Sequence, residues 1–145
     1  MSDRVLISLS NADIHQGDHL VLQSVDFALE EGEFVYLIRS TGSGKSSLLK
    51  TLYGDLPLQS GRGQIAGYRL ENLKEKEIPF LRRKLGIVFQ DFQLLTDRSV
   101  NKNLLFVLQA TGWKDKKKMQ QRIEDVLGMV GMTGKDFKMP HQLSG

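Results

Sequence analysis

The chain has 145 residues, of which 40% are hydrophobic and 26% are charged, with a formal net charge of +3. This is ordinary for a soluble globular domain, and so small an excess of positive charge does not by itself indicate nucleic-acid binding. The absence of cysteine excludes disulfides, zinc–thiolate sites and a thiol nucleophile. No secretory-signal pattern opens the chain, and no apolar run approaches the roughly 20 residues that span a bilayer. We therefore expect a cytoplasmic protein, with a membrane-bound partner left open.

The first part of the chain alternates apolar stretches with turns. The spacing of apolar and turn residues predicts strands over 5–9, 19–29, 34–38, 85–89 and 64–70, the last broken by Gly67, and helices over about 45–53 and 78–84. Two of these strands, 34–38 and 85–89, are almost wholly apolar, which is typical of strands covered on both faces. Such strands need further strands beside them, and the chain supplies only a few.

The second part is predicted to be helical. Ser99 can cap a helix that runs to about Ala110, and a second helix covers about 115–130. Their inner faces are predicted from helical spacing: Val100, Leu104, Val107 and Leu108 in the first, and Met119, Ile123, Val126, Leu127 and Val130 in the second. The basic stretch WKDKKKMQQR opens the second helix, and we interpret it as a solvated face rather than a nucleic-acid site.

A glycine-rich stretch, RSTGSGKSS, joins the apolar run 34–38 to the first helix. Its Gly44-Lys45-Ser46 matches the end of a phosphate-binding loop, in which backbone amides and a helix N-terminus converge on phosphate. In such a loop Lys45 reaches the β- and γ-phosphates, the Ser46 hydroxyl ligates Mg²⁺, and Ser47 bonds the α-phosphate. The sequence therefore predicts an ATP and Mg²⁺ site whose residues are Ser40, Thr41, Gly42, Ser43, Gly44, Lys45, Ser46 and Ser47.

Arg39 stands where the loop pattern has its first glycine. That glycine normally permits a tight turn out of the strand, and arginine fits only if φ is negative or the strain is offset elsewhere. The amides of residues 42–47 do not require residue 39, so we expect the loop to bind nucleotide, but more weakly than with glycine. The alternative interpretation is a Gly/Ser-rich connector with a solvated lysine.

Three motifs occur in a fixed order: the phosphate loop, the stretch Val88-Phe89-Gln90, and Leu143-Ser144-Gly145. In this order they resemble the Walker A loop, the Q-loop and the start of the LSGGQ-type signature of an ABC transporter ATP-binding subunit. The stretches LRRKLGIVFQDFQLLTDRSVNKNLLFVLQATG and KTLYGDLPLQSGRG look most like the FtsE-type cell-division ATP-binding proteins. The resemblance covers essentially the whole chain, and the lipoprotein-release and macrolide-export ATPases are close in sequence and stay open as alternatives.

The resemblance implies an α/β fold, a P-loop NTPase of the ABC type. N-terminal antiparallel strands and the P-loop core would occupy about 1–90, and the beginning of a helical subdomain about 91–145. It also implies that Lys45 and Gln90 act in catalysis and that Ser46 and Gln90 contact Mg²⁺. Members of the family usually stack an aromatic residue on adenine. The candidate here is His15, with a solvated loop histidine as the alternative.

In the family, the start of the signature, matched here by Ser144 and Gly145, binds the γ-phosphate held by the opposite subunit. The rest of the family pattern follows this point. The Walker B aspartate, the catalytic glutamate and a switch histidine follow in the family, and the chain contains none of them. The chain looks cut, and without these groups we expect little or no steady ATP hydrolysis from it alone.

For the complete protein the resemblance implies ATP binding and hydrolysis that drive a membrane complex. The expected partners are an FtsX-like integral membrane permease and a second copy of the chain, with no nucleic acid. The expected place is the inner face of the cell membrane, through that permease. Exposure of Phe92 or Leu94 would favour contact with the permease. A non-catalytic nucleotide-binding fragment is the alternative from another functional class.

Overall fold

The computed structural model describes residues 4–38, 40, 42, 44–91 and 93–143. Within those residues the chain forms four β-strands, four α-helices and three short 3-10 turns. It divides into two compact units, Met1–Ile87 and Val88–Gly145. The described residues contain no helix with both the length and the apolar character of a membrane span.

The first unit is built on an antiparallel sheet in the order β2-β1-β3-β4. Its strands are β1 (Val5–Gln16), β2 (His19–Glu30), β3 (Ser60–Ile65) and β4 (Tyr68–Arg69). β1 and β2 form a hairpin in which His15 lies opposite Leu20, and β1 also pairs with β3. The predicted strand 5–9 was therefore too short, because β3 pairs with β1 as far as Asp13 and β2 pairs with it as far as Gln16.

Helix α1 (Lys45–Leu52) packs against β1 and closes the core of the first unit. A second, shorter helix, α2 (Ile78–Arg82), contributes Leu81, which is fully buried. The buried core consists of Leu9, Ala12, Ile14, Leu48, Leu52, Leu58, Ile65, Leu70 and Leu81. The core thus fixes α1 relative to the sheet, and the N-terminus of α1 carries the predicted phosphate loop.

Residues 34–38 and 85–89 are not strands, so these two predictions were wrong. Phe34 is 79% exposed, Ile38 is 90% exposed and Val88 is 91% exposed. In the described part of the chain no backbone hydrogen bond joins residues 34–38 to a neighbour. A strand exists only with a hydrogen-bonded partner, so an apolar run without one stays irregular and exposed.

The second unit contains the two predicted helices, α3 (Val100–Ala110) and α4 (Lys116–Met129). Ser99 caps α3 by accepting a hydrogen bond from the Lys102 amide, and Asp115 caps α4 in the same way. Met119, Ile123 and Leu127 are buried, as their spacing predicts, whereas Val107 and Val130 are exposed. Val130 follows the last turn of α4, and Val107 lies on the flank of α3. The lysines at the start of α4 are exposed, as expected for a solvated face.

The loop that enters α3 is held by one side chain. The Asn103 amide nitrogen donates to the carbonyl oxygens of Leu95, Arg98 and Ser99 at 3.0–3.1 Å. The Asn103 side-chain oxygen accepts from the Leu95 amide at 2.8 Å. These bonds satisfy backbone groups that the irregular loop leaves unpaired. They fix the start of α3 in the second unit.

Candidate functional site

Two glycines shape the loop before α1. Gly44 is the N-cap residue with a φ of 92°, and its carbonyl oxygen accepts a hydrogen bond from the Leu48 amide at 2.9 Å. Gly42 has a φ of 77°. Both values are left-handed, which glycine adopts without steric cost. The first-turn amides of α1 have no acceptor within the helix and carry its positive dipole end, so this end suits an anion.

Lys45 lies along the loop rather than away from it. Its Nζ donates a hydrogen bond to the carbonyl oxygen of Ser40 at 3.0 Å. Ser40 and Gly42 are exposed, so the loop surface is open to solvent. The lysine charge is therefore held against the loop at Ser40. The predicted site residues Thr41 and Ser43, and Arg39 before them, lie outside the described residues.

The two serines after Lys45 differ in environment. Ser46 is exposed, whereas Ser47 is only 7% exposed. The carbonyl of Ser47 accepts from Thr51 Oγ1 at 3.0 Å, but the Ser47 hydroxyl has no hydrogen bond to any residue that the structure describes. Buried hydroxyls usually have a partner. The Ser47 hydroxyl therefore needs one that the described residues do not provide.

The oxygen donors of the loop fit a magnesium–phosphate ligand. Mg²⁺ prefers oxygen ligands and keeps phosphate oxygens and waters among them. Ser46 supplies one hydroxyl oxygen. The described residues contain no group of three or more histidine, aspartate or glutamate side chains that could hold a metal without further ligands. A magnesium ion at Ser46 would depend on ligands such as phosphate oxygens.

Strand β2 supplies a contact that the sequence did not predict. The side chains of Val21 and Leu22 lie against Gly44. Leu22 also packs against the core of the first unit. The one sequence signal is that Leu20, Val21 and Leu22 are consecutive apolar residues where β2 otherwise alternates in part. Val21 and Leu22 are half-buried at this point, whereas Leu20 is exposed.

His15 lies within β1 and not in a loop, which corrects the predicted alternative of a loop histidine. It is half-buried, and its Nδ1 is 3.4 Å from the carbonyl oxygen of Asp13. It pairs with Leu20, the residue before Val21, so the hairpin brings His15 to the part of β2 that contacts the loop.

The remaining predicted residues lie apart from the loop in sequence. Gln90 is exposed and belongs to the second unit, so its approach to Mg²⁺ stays a prediction. Ser144 and Gly145 lie outside the described residues.

Residues 22–145 match the family model described as ABC transporter. The chain belongs to the ABC transporter family. Its solved structural relatives include a dimeric ATP-binding cassette in a post-hydrolysis state bound to ADP and Pi. That cassette is 26% identical with a TM-score of 0.79, over 96% of this chain and 63% of that one. The α/β P-loop NTPase fold implied by the resemblance is thereby confirmed.

Among curated relatives, this ABC transporter domain is similar in sequence to FtsE proteins. It is 34% identical to the cell division ATP-binding protein FtsE of Streptococcus pneumoniae serotype 2, over 86% of this chain and 54% of that protein. It is 37% identical to FtsE of Haemophilus influenzae, over 97% of this chain and 65% of that protein. The predicted closeness to FtsE is confirmed. The chain spans between about half and two thirds of the length of these relatives.

Proposed function

We propose that this chain binds Mg²⁺-ATP at the N-terminus of α1 and is the nucleotide-binding part of an ABC-type ATPase. The observation that carries this proposal concerns Ser47, which is buried near a helix end suited to an anion. Its hydroxyl has no hydrogen bond to any residue that the structure describes, although buried hydroxyls usually have a partner. A phosphate oxygen is a suitable partner for that hydroxyl. The burial of Ser47 itself follows from its place on the inner face of α1 with Leu48, Thr51 and Leu52, so what supports the proposal is the missing partner of its hydroxyl.

Each predicted residue has a role in this proposal. Backbone amides of Gly42, Gly44, Ser46 and Ser47 donate to phosphate oxygens, with Ser40, Thr41 and Ser43 completing the loop. The Lys45 ammonium exchanges the Ser40 carbonyl for the β- and γ-phosphates, since a charged acceptor forms the stronger hydrogen bond. The Ser46 hydroxyl and Gln90 would hold Mg²⁺, which neutralises phosphate charge when bound. The imidazole of His15 stacks on the adenine.

For the whole protein we propose ATP hydrolysis by a homodimer that drives a membrane complex of the FtsE type. The names of the curated relatives support the cell-division assignment, and the dimeric cassette supports the homodimer. An FtsX-like permease is the proposed partner, and through it the protein lies on the inner face of the cell membrane. The alternative is a lipoprotein-release or macrolide-export complex. Identifying the permease that co-purifies with the protein distinguishes it from the FtsE-type complex.

The proposed permease contact lies on the second unit. Leu94 is 49% exposed and Phe106 is 48% exposed. Phe106 also lines a cleft of about 430 Å³ together with Asp97, Arg98, Lys102, Leu105 and Gln109. The exposure of Leu94 is what a partner contact requires, while Phe92 lies outside the described residues. An apolar side chain beside charged ones suits a protein partner.

Isothermal titration with Mg²⁺-ATP tests the nucleotide proposal. Wild-type protein is expected to bind, and Lys45→Ala to lose most of that binding because the phosphate charge loses its cation. Lys50→Ala is the matched control, since Lys50 lies on the same helix and forms only a 3.9 Å ion pair with Asp55. Absence of binding by folded wild-type protein, or equal loss in the two variants, would contradict the proposal.

A further inference from the structure

Gly44 is packed against a neighbouring strand, whereas Gly42 is not. A Cβ placed on Gly44 would lie 2.6 Å from Val21 Cγ1 and 3.0 Å from Leu22 Cγ. A Cβ placed on Gly42 would meet no atom within 4 Å. Since real Cβ contacts stay beyond 3.0 Å, β2 occupies the space that any side chain at residue 44 would need. The strand therefore forms a wall behind Gly44.

This wall is anchored in the core. Leu22 pairs across the hairpin with Ile14, which is fully buried, and it packs against the cluster that includes Leu48 of α1. Val21 is half-buried beside it on the same strand. Because β2 is hydrogen-bonded to β1 along its length, neither side chain can withdraw without disturbing the sheet.

The position of Gly44 sets the direction of the amides after it. Its carbonyl accepts the first hydrogen bond of α1, from Leu48, so a displacement of Gly44 also tilts the first turn. Hydrogen bonds prefer angles above about 150° and weaken steeply below about 120°. A small movement of Gly44 would therefore weaken several donors to phosphate at once.

We propose that Val21 is a positioning residue for the phosphate site and acts by holding the backbone of Gly44 in place. This rests on the proposed nucleotide binding and adds a residue outside the loop that determines affinity. Val21 acts on the phosphate-binding amides and not on the nucleoside. Its effect therefore extends to any ligand that carries the same phosphates without adenosine.

The test compares two probes, Mg²⁺-ATP and Mg²⁺-tripolyphosphate, by isothermal titration. Val21→Ala is expected to weaken both by the same factor, about five- to tenfold, as for one impaired hydrogen bond. His15→Ala is expected to weaken ATP alone, because tripolyphosphate has no base to stack. Val21→Ile adds a methyl group toward Gly44 without shortening the side chain, and it is also expected to weaken both probes.

Val25→Ala is the matched control. Val25 is half-buried on β2 and packs against the same core, but it lies four residues, or about 13 Å, along the strand from Val21. It should lower the urea midpoint without changing either affinity. If wild-type protein binds both probes and Val21→Ala leaves both unchanged, or weakens ATP alone, the positioning role is wrong. If folded wild-type protein binds neither probe, the proposed function fails and this inference fails with it.

Discussion

The carboxylate of Asp26 accepts a hydrogen bond from the backbone amide of Asn11 at 2.9 Å. A matching bond joins the Asp13 carboxylate to the amide of Ser24 at 2.8 Å. Asn11 and Ser24 have φ values of 45° and 50°, an unfavourable region for residues other than glycine. Both of these positions are thus held by an aspartate of the opposite strand of the hairpin.

We predict that Asp26→Ala lowers the free energy of unfolding by about 1 kcal/mol, because the Asn11 amide loses its acceptor. Asp26→Asn keeps a side-chain oxygen and should cost less. Urea unfolding followed by circular dichroism measures both changes. Asp18→Ala, at an exposed turn position, is the control. A loss in Asp18→Ala as large as in Asp26→Ala would show that the hydrogen bond is not the cause.

The two loop glycines should respond differently to alanine. Gly42→Ala is expected to cost about 1–2 kcal/mol of stability, from the left-handed backbone alone. Gly44→Ala carries the same strain and also collides with Val21 and Leu22, so its loss should be clearly larger. The comparison is made by urea unfolding without nucleotide. Equal losses would mean that β2 does not restrict Gly44.

Glu71 should make stability depend on pH. Burial raises the pKa of Glu71, but hydrogen bonds from the amides of Glu71 and Gly63 and from Arg69, together with the Arg69 charge, hold that pKa below its ordinary value of 4.5. The Arg69 Nη2 lies 2.8 Å from the carboxylate. A carboxyl group with a lowered folded-state pKa stabilises the fold above its unfolded-state pKa. That contribution is lost as pH falls through the folded-state pKa.

We therefore expect Glu71→Gln to be less stable than wild type at neutral pH and the difference to shrink below pH 4.5. Urea unfolding of both proteins across this range provides the measurement. Glu75→Gln serves as the control, because Glu75 is exposed. A difference that stays constant down to about pH 3 would contradict the assigned hydrogen bonds.

The exposed segment 34–38 should make the chain associate. Its five residues, FVYLI, are apolar or aromatic, have high strand propensity and lack charge, which is typical of segments that pair between chains. We predict that Tyr36→Lys lowers the weight-average mass seen by analytical ultracentrifugation at high concentration. Tyr68→Lys, at a half-buried position of β4, tests whether an added positive charge elsewhere is enough to lower the weight-average mass. Equal masses for Tyr36→Lys and wild type would exclude this segment as the cause.

Helices were predicted well because their signals are local. Ser99 and Asp115 cap their helices through their own side chains, and the spacing of Met119, Ile123 and Leu127 alone identifies the buried face of α4. The outcome for segments 34–38 and 85–89, which were predicted to be strands, could not be judged from local signals. An apolar run shows that a segment can be buried, but whether it forms a strand depends on a partner elsewhere in the chain.

In the candidate site, too, the local part could be predicted from the sequence and the part that depends on distant residues could not. The spacing of Gly44, Lys45 and Ser46 identifies the phosphate loop, because these residues act in sequence order at one helix end. The wall formed by Val21 is 23 residues away in sequence and follows from the register of the β1–β2 hairpin. No local pattern contains that register, so only the fold reveals the contact.

In the proposed site, amides around Lys45 enclose the phosphates of a nucleotide. An NMR titration of ¹⁵N-labelled protein with Mg²⁺-ATP tests it most directly, with Mg²⁺-adenosine mixtures as the control for the base. We predict that the largest amide shifts occur at Gly42, Gly44, Ser46 and Ser47 and are absent with adenosine. Saturating Mg²⁺-ATP that leaves these amides unshifted, or shifts chiefly those of the Arg98–Lys102 cleft, would contradict the claim.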